Sequence, residues 1–385
     1  MITIEGRPGA KVALIVSDGK RGPTATQMIS FGQPFASARG KSPVSIVLER
    51  HHDSAEEVDK AFAAQRPGLL VLSRYTSERG LDWIRLARAA GVPVIFHIDD
   101  DLLAVPASLG VAKYAAYNSP ERLNALRENI ERSDLLYVST SELGRRIEGH
   151  NVRTPIVAGD IYCSVSPDQV GALLPPAGGP VIGYMGTSGH SADLAMVMPA
   201  VCEVMDAVPS VQFEVFGTIQ MPSELTRYGR RVRHIAPVAD YADFLTRLRS
   251  LGWWVGLAPL ADNAFNRCKA DTKWVEYSMA GIAVVASDLP VYHRACADGA
   301  GLLARPLEAW VNSLQMLVHR PDLRAQIVEK AQAKLLQSYT HESLRAQVMK
   351  IFERALAGNG TRTEPDSMRP SRPHPFPGER IRPGH

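Results

Sequence analysis

A chain of 385 residues with 45% hydrophobic and 22% charged side chains has the make-up of a soluble globular protein, and its length suggests two domains. No apolar run approaches the roughly 20 residues that a membrane span needs, and the start of the chain shows no signal-peptide core. A formal net charge of +3 is too small to imply a nucleic-acid partner. Four well-separated cysteines (Cys163, Cys202, Cys268, Cys296) with no CxxC pair suit a reducing, cytoplasmic setting and argue against a structural zinc site.

In chain order, Val12–Val16 predicts a first buried strand, closed by the turn Ser17-Asp18-Gly19. Gly19, Gly22 and Pro23 predict a flexible loop with no GxGxxG spacing. Val44–Leu48 and Leu69–Leu72 are further strands, separated by a helix that Ser54 and Glu57 start with a capping box. A helix from Glu78 to Ala90 stops at Gly91, and Pro93–Ile98 is the fourth strand. Strands alternating with helices define a doubly wound α/β domain. The fourth strand ends in His97-Ile98-Asp99-Asp100-Asp101, four ionisable residues where active-site groups belong. Helix capping by the aspartates is the plain structural alternative. Asn118–Arg132 is a helix with Pro120 at its first turn, Asp134–Ser139 a fifth strand and Thr140–Ile147 a short helix.

Residues 166–180 are rich in Pro and Gly and predict an interdomain linker. Val181–Met185 opens a second α/β unit and leads into Gly186-Thr187-Ser188-Gly189-His190. The two glycines let backbone pass close to a ligand, and the helix that follows offers free N–H groups. Val211–Phe216 and Val232–Ile235 are strands, with Ala236-Pro237-Val238 placed to wall a base. Arg230, Arg231 and Arg233 form a basic run: a solvated surface, or a peripheral contact with an anionic membrane.

The most informative stretch is Trp253 to Asp288. A buried strand to Leu260 is followed by a loop with Asp262, Asn263 and Asn266, then by Lys269, Lys273, Glu276 and Ala280. Helical geometry would put those last four on one face. Gly281 ends the helix and Ile282–Ala286 is the next strand. Ligands in such sheets bind at the carboxyl ends of strands. Two ammonium groups and free amides suit phosphate oxygens, and a carboxylate suits a vicinal diol such as a ribose. A solvated face with ion pairs is the alternative on spacing alone. Three helices follow, Leu307–His319, Asp322–Gln337 and His341–Leu356, before a Pro- and Arg-rich stretch, 359–385, expected to be disordered.

With Glu276 followed by Ala280-Gly281-Ile282-Ala283-Val284-Val285-Ala286-Ser287, this stretch resembles the nucleotide-sugar segment of GT-B glycosyltransferases, especially the retaining, bacterial-type enzymes of glycosyltransferase family 4. Their first glutamate position is Cys268 here, and the family's Arg/Lys pair after the Gly186 turn is absent. The resemblance is good over Val181–Leu356 and loose before it. It implies two Rossmann-like domains facing across a cleft: residues 1–165 on the acceptor side, 181–340 for the donor, and 341–358 as a last helix crossing back to the first domain. It assigns Glu276 to the donor ribose, and His97 with Asp99 to the wall facing the donor sugar. Gly186, Thr187, Ser188, His190, Asn266, Lys269 and Lys273 become the remaining donor-binding candidates. The nucleotide sugar is a substrate, so no cofactor is expected, and the fold needs no metal. Asp99-x-Asp101 also resembles the Asp-x-Asp metal motif of GT-A enzymes, which the second half of the chain does not fit. Two other readings share these features: a nucleotide-sugar-binding protein that has lost activity, and a GT-B-fold nucleotide-sugar epimerase.

Overall fold

The computed structural model describes residues 1–20, 22–171 and 179–358. Residues 172–178 of the expected linker and the expected disordered stretch 359–385 lie outside the described residues. The first sheet has seven strands: β1 (Ile2–Ile4), β2 (Lys11–Ser17), β3 (Val44–Glu49), β4 (Leu69–Ser73), β5 (Val94–Ile98), β6 (Leu135–Val138) and β7 (Ile156–Ala158). Their order is β1-β3-β2-β4-β5-β6-β7, parallel except for β1, which pairs antiparallel with β3. The second sheet contains β8 (Val181–Gly186), β9 (Gln212–Gly217), β10 (Val232–Ile235), β11 (Val255–Ala258), β12 (Ala283–Ser287) and β13 (Leu302–Ala304). It is wholly parallel, in the order β10-β9-β8-β11-β12-β13.

The central strands are unbroken apolar runs because helices cover both faces, which is why they can be read from sequence by hydrophobicity alone. Leu69–Leu72, Val94–Phe96 and Val284–Ala286 are at most a few per cent exposed. In each sheet the strand order reverses once, between β2 and β4 in the first and between β8 and β11 in the second. A reversal opens a crevice at the carboxyl ends of the two strands, the place where this architecture binds ligands. Gly256 in β11 serves the second crevice: a Cβ there would sit 2.7 Å from the Tyr277 ring. The close packing lets the Tyr277 hydroxyl accept from Met185 N (2.9 Å) and donate to Leu257 O (3.2 Å), tying the Thr272–Met279 helix to β8 and β11.

One segment differs from its sequence reading, and a second carries a helix that the sequence reading left out. The stretch after Pro23 is helical, with an α-turn at Ala25–Gln27, a π-turn at Met28–Gly32 and an α-turn at Gln33–Ala36. Thr24 and Gln27 form a capping box, and the buried Gln27 amide donates to Ile15 O (2.8 Å) and Glu49 O (3.0 Å). The nearby glycines mask this T-x-x-Q signal in the sequence. Val111–Tyr117 is also a helix, none of whose residues is buried, so hydrophobic periodicity gives it no signature.

The chain passes between the halves twice, and the two passages lie side by side. Val165 N donates to Tyr339 O (2.8 Å) and His341 N to Val165 O (3.0 Å). The last helix, His341–Gly358, then lies on the first half. Phe352 stacks on Phe31 and Phe35 at 6.3 and 6.4 Å, and Arg345 donates to Pro34 O (2.9 Å).

Candidate active site

Two cavities adjoin between the sheets and share His190 and Lys273. The larger, about 400 Å³, lies at the carboxyl end of β8. Its rim is the backbone of Gly186-Thr187 and Gly217-Thr218, and its wall is Pro237, Val238 and the stacked Phe216–Phe244 pair (5.1 Å). Gly217 has φ +120°, and a Cβ would fall 2.3 Å from Gly186 O, so only glycine lets the two turns meet.

Glu276 closes this cavity. The residue is 8% exposed, and its carboxylate accepts a 2.8 Å hydrogen bond from the Tyr241 hydroxyl. Burial pushes its pKa up to about 7, against the opposing pull of Tyr241 and Lys273. Lys273, one turn before it, has its Nζ 5.6 Å from the Tyr184 ring centroid and no ion pair among the described residues. Burial, then repulsion by Lys269, lowers its pKa to about 8. A low-dielectric site holding one carboxylate and one ammonium is set up to gain from an incoming group that carries both hydroxyls and negative charge.

The smaller cavity, about 170 Å³, is lined by Asp99, Asp100 and Tyr162 from the first half and by His190, Lys269 and Lys273 from the second. Lys269 is not on the helix with Lys273. A short helix, Ala264–Arg267, precedes it, and the next starts only at Thr272. Asp271, at the boundary, gives that helix no side-chain cap, because its carboxylate accepts from the Tyr339 hydroxyl (2.7 Å) instead. The helix therefore presents uncapped N–H groups beside this cavity. Lys269 Nζ reaches across the cleft to Asp100 Oδ1 at 3.0 Å. Burial alone would raise the Asp100 pKa, but Lys269 and Arg74 outweigh it and hold it at about 2.

The aspartate run splits in three directions. Asp99 is bonded to Arg74, Thr26 (3.1 Å) and Tyr162 (2.7 Å) at the cavity edge. Asp100 pairs with Lys269 and Arg74. Asp101 is fully buried on Arg146 (2.9 Å) and His150 (3.0 Å), which removes it from the cleft and dissolves the Asp-x-Asp reading. Among the described residues no cluster of His, Cys, Asp and Glu is arranged to hold a metal ion.

His97 must also be corrected. Its ring is wholly buried between Phe31 (5.0 Å) and Tyr137 (4.8 Å), with Nδ1 on Ser73 Oγ (3.1 Å). Burial lowers its pKa to about 4, and it lines neither cavity. His97 lies within β5 with its ring in the core, whereas Asp99 follows the end of β5, where the chain reaches the cleft. Asn266 lies one layer behind the cavities, donating to Asp193 Oδ1 (3.0 Å) and Ala261 O (3.0 Å). Ser188 is exposed on the outer side of its turn and lines neither cavity. Cys268 packs into the core of the first half, its Sγ 3.1 Å from Ala264 O, and it lines neither cavity.

Sequence reasoning missed Arg74, Tyr162, Tyr241 and Asp193. Arg74, Tyr162 and Tyr241 lie 25, 63 and 35 residues from the carboxylates they bond, whereas Asp193 is close in sequence to His190. Two had a local signal: Arg74 follows a strand, and Asp193 sits at i,i+3 from His190 in the first turn of a helix.

Residues 199–350 match the family described as glycosyl transferase-like. No curated protein matches the chain. Solved structures are similar over about nine tenths of the chain. One is HepE of Anabaena in complex with UDP-glucose: TM-score 0.63, 14% identity, 89% of this chain and 99% of that one. Another is sucrose-phosphate synthase from Thermosynechococcus elongatus: TM-score 0.62, 13% identity, 90% and 99%. A third is a UDP-forming α,α-trehalose-phosphate synthase from Burkholderia xenovorans: TM-score 0.56, 13% identity, 92% and 100%. With the two doubly wound sheets, these likenesses define the GT-B fold of two Rossmann-like units across a cleft. No helix among the described residues is long and apolar enough to cross a membrane.

Proposed function

We propose that this protein is a glycosyltransferase that moves a sugar from a nucleotide-sugar donor to an acceptor hydroxyl in bacterial glycan or glycoconjugate synthesis, with retention and without a metal. The observation that carries the reading is Glu276, a buried carboxylate held by Tyr241 in a cavity rimmed by two glycine turns at a strand-order reversal. The base would lie against Pro237 and Val238, the ribose diol on Glu276, and the diphosphate over Gly186-Thr187 toward Lys273 and the uncapped helix start. That places the sugar in the smaller cavity, beside Asp99 and Asp100. The structural neighbours support such a donor, since HepE is seen with UDP-glucose, UDP and glucose.

In the reaction the bond from the anomeric carbon to the diphosphate breaks, both electrons leaving with the phosphate oxygen. The acceptor oxygen bonds that carbon and its proton passes to the departing diphosphate. Lys273, Lys269 and helix N–H groups meet the developing charge, fixed in place before the reaction. The acceptor would enter from the first half, where a cavity of about 460 Å³ at the ends of β2 and β4 is lined by Asp18, Thr24, Arg74, Thr76 and Arg122. A screen of UDP-, GDP- and TDP-sugars by thermal shift identifies the donor, because a ligand of the folded state raises its melting point. Glu276→Ala should then lower affinity by about 2–4 kcal/mol in a folded protein. Wild-type affinity in that variant, measured by calorimetry, would remove Glu276 from the site.

A further inference from the structure

We propose that His190 is the cationic ligand of the donor's diphosphate: its imidazole is neutral in the empty cleft, takes up one proton when a diphosphate binds, and donates from Nε2 to a phosphate oxygen. The inference rests on the nucleotide-sugar reading above and supplies the charge that an arginine would otherwise bring.

His190 stands where the two cavities meet, lining both. Its orientation is fixed from behind by a relay that crosses the chain. His190 Nδ1 lies 2.9 Å from Asp193 Oδ2. Asp193 Oδ1 in turn accepts from Ala261 N (2.8 Å) and Asn266 Nδ2 (3.0 Å). Such a carboxylate fixes the tautomer with the proton on Nδ1 and leaves Nε2 for the cleft. Nε2 has no hydrogen-bond partner among the described residues. The relay also explains why Asn266 belongs to the site without touching it.

The charges around the ring set its state. Asp193 faces it from its own helix, Lys273 and Glu276 from the Thr272–Met279 helix, and Lys269 from the turn before that helix. Asp99 and Asp100, both engaged by Arg74, face it from across the cleft. Lys113 lies against the adjacent Gly189. Lys273 contributes most to lowering the pKa to about 4, burial adds to it, and Asp193 opposes both. A diphosphate reverses this balance, because it neutralises Lys273 and places negative charge beside Nε2. The bound ring then holds a proton that the free ring does not. Affinity must therefore fall as pH rises through the bound-state pKa.

Calorimetry with UDP-glucose, GDP-mannose and a TDP-sugar tests this, because both phosphates are esterified and keep constant charge through neutrality. Titrations in buffers of unlike ionisation heat count the protons taken up. The wild-type protein should take up a proton on binding its donor, with affinity falling from about pH 6 to about pH 8. His190→Asn can keep the Asp193 contact but not the charge. It should take up close to one proton fewer than the wild-type protein near pH 6, where Lys273 is already charged, and lose about tenfold to a hundredfold in affinity at the acid end, and far less at the alkaline end. His190→Gln serves the same purpose should the Asn variant be unstable. Binding without proton uptake, or an equal loss at every pH in the variants, would overturn the role of His190 and leave the donor site standing. No binding of any nucleotide sugar would overturn the donor-site reading itself and this inference with it.

Discussion

Three histidines, His97, His190 and His341, are held neutral, each with its pKa lowered to about 4. For His97 and His341 the first cause is burial, and for His190 it is the Lys273 charge. A histidine whose folded pKa is depressed contributes stability that is complete above its ordinary value of 6.5 and is lost as pH falls toward 4. The protein should therefore lose stability progressively across that window, as urea unfolding at a series of pH values would show. His97→Ala should flatten the loss and lower stability at neutral pH by about 2–4 kcal/mol, because it empties a space between Phe31 and Tyr137. Nucleotide affinity and turnover per folded molecule should not change. A reduced turnover in fully folded His97→Ala would return that ring to the reacting sugar.

At the scale of elements, the Thr272–Met279 helix was legible because Lys273 and Glu276 share a face at i,i+3, and Gly281 marked its end. Its start was not legible. Nothing local shows that the Asp271 carboxylate is drawn to Tyr339, 68 residues away, or that the chain breaks before Thr272. The relay behind His190 was hidden for the same reason, since Asp193 and Asn266 meet across 73 residues. The consequence for the lysines is an asymmetry. Lys269 already has a carboxylate partner across the cleft, whereas Lys273 has none among the described residues. Lys273→Met should weaken a nucleoside diphosphate by about tenfold or more and leave the bare nucleoside nearly unaffected. Lys269→Met should cost less, since it exchanges one anion partner for another. Equal losses for nucleoside and diphosphate in Lys273→Met would make that lysine a background charge only.

For the whole molecule, the two parallel sheets followed from alternating strands and helices, but the joint between the halves depends on pairings that no periodicity reports. The last helix, His341–Gly358, is one part of that joint. Its Gln347 amide nitrogen donates to Tyr137 OH (3.0 Å) and Ile161 O (2.9 Å), and its carbonyl accepts from Asp160 N (2.7 Å). Phe352 adds the apolar contact, 1% exposed against Phe31 and Phe35. Those two rings sit on the helical turns whose Thr26 reaches Asp99, so the helix braces the first-half wall of the cleft from behind. Removing the Phe352 ring should cost about 3–5 kcal/mol, nearly all of it in the coupling of the two halves. The expected result in a scanning calorimeter is one thermal transition in the wild-type protein and two in Phe352→Ala. A nucleotide sugar binds mainly the second half, so saturating donor should raise one of the two transitions and leave the other in place. A single transition in Phe352→Ala, merely shifted down, would mean that the cleft contacts of Lys269 and Asp100 suffice to hold the halves together.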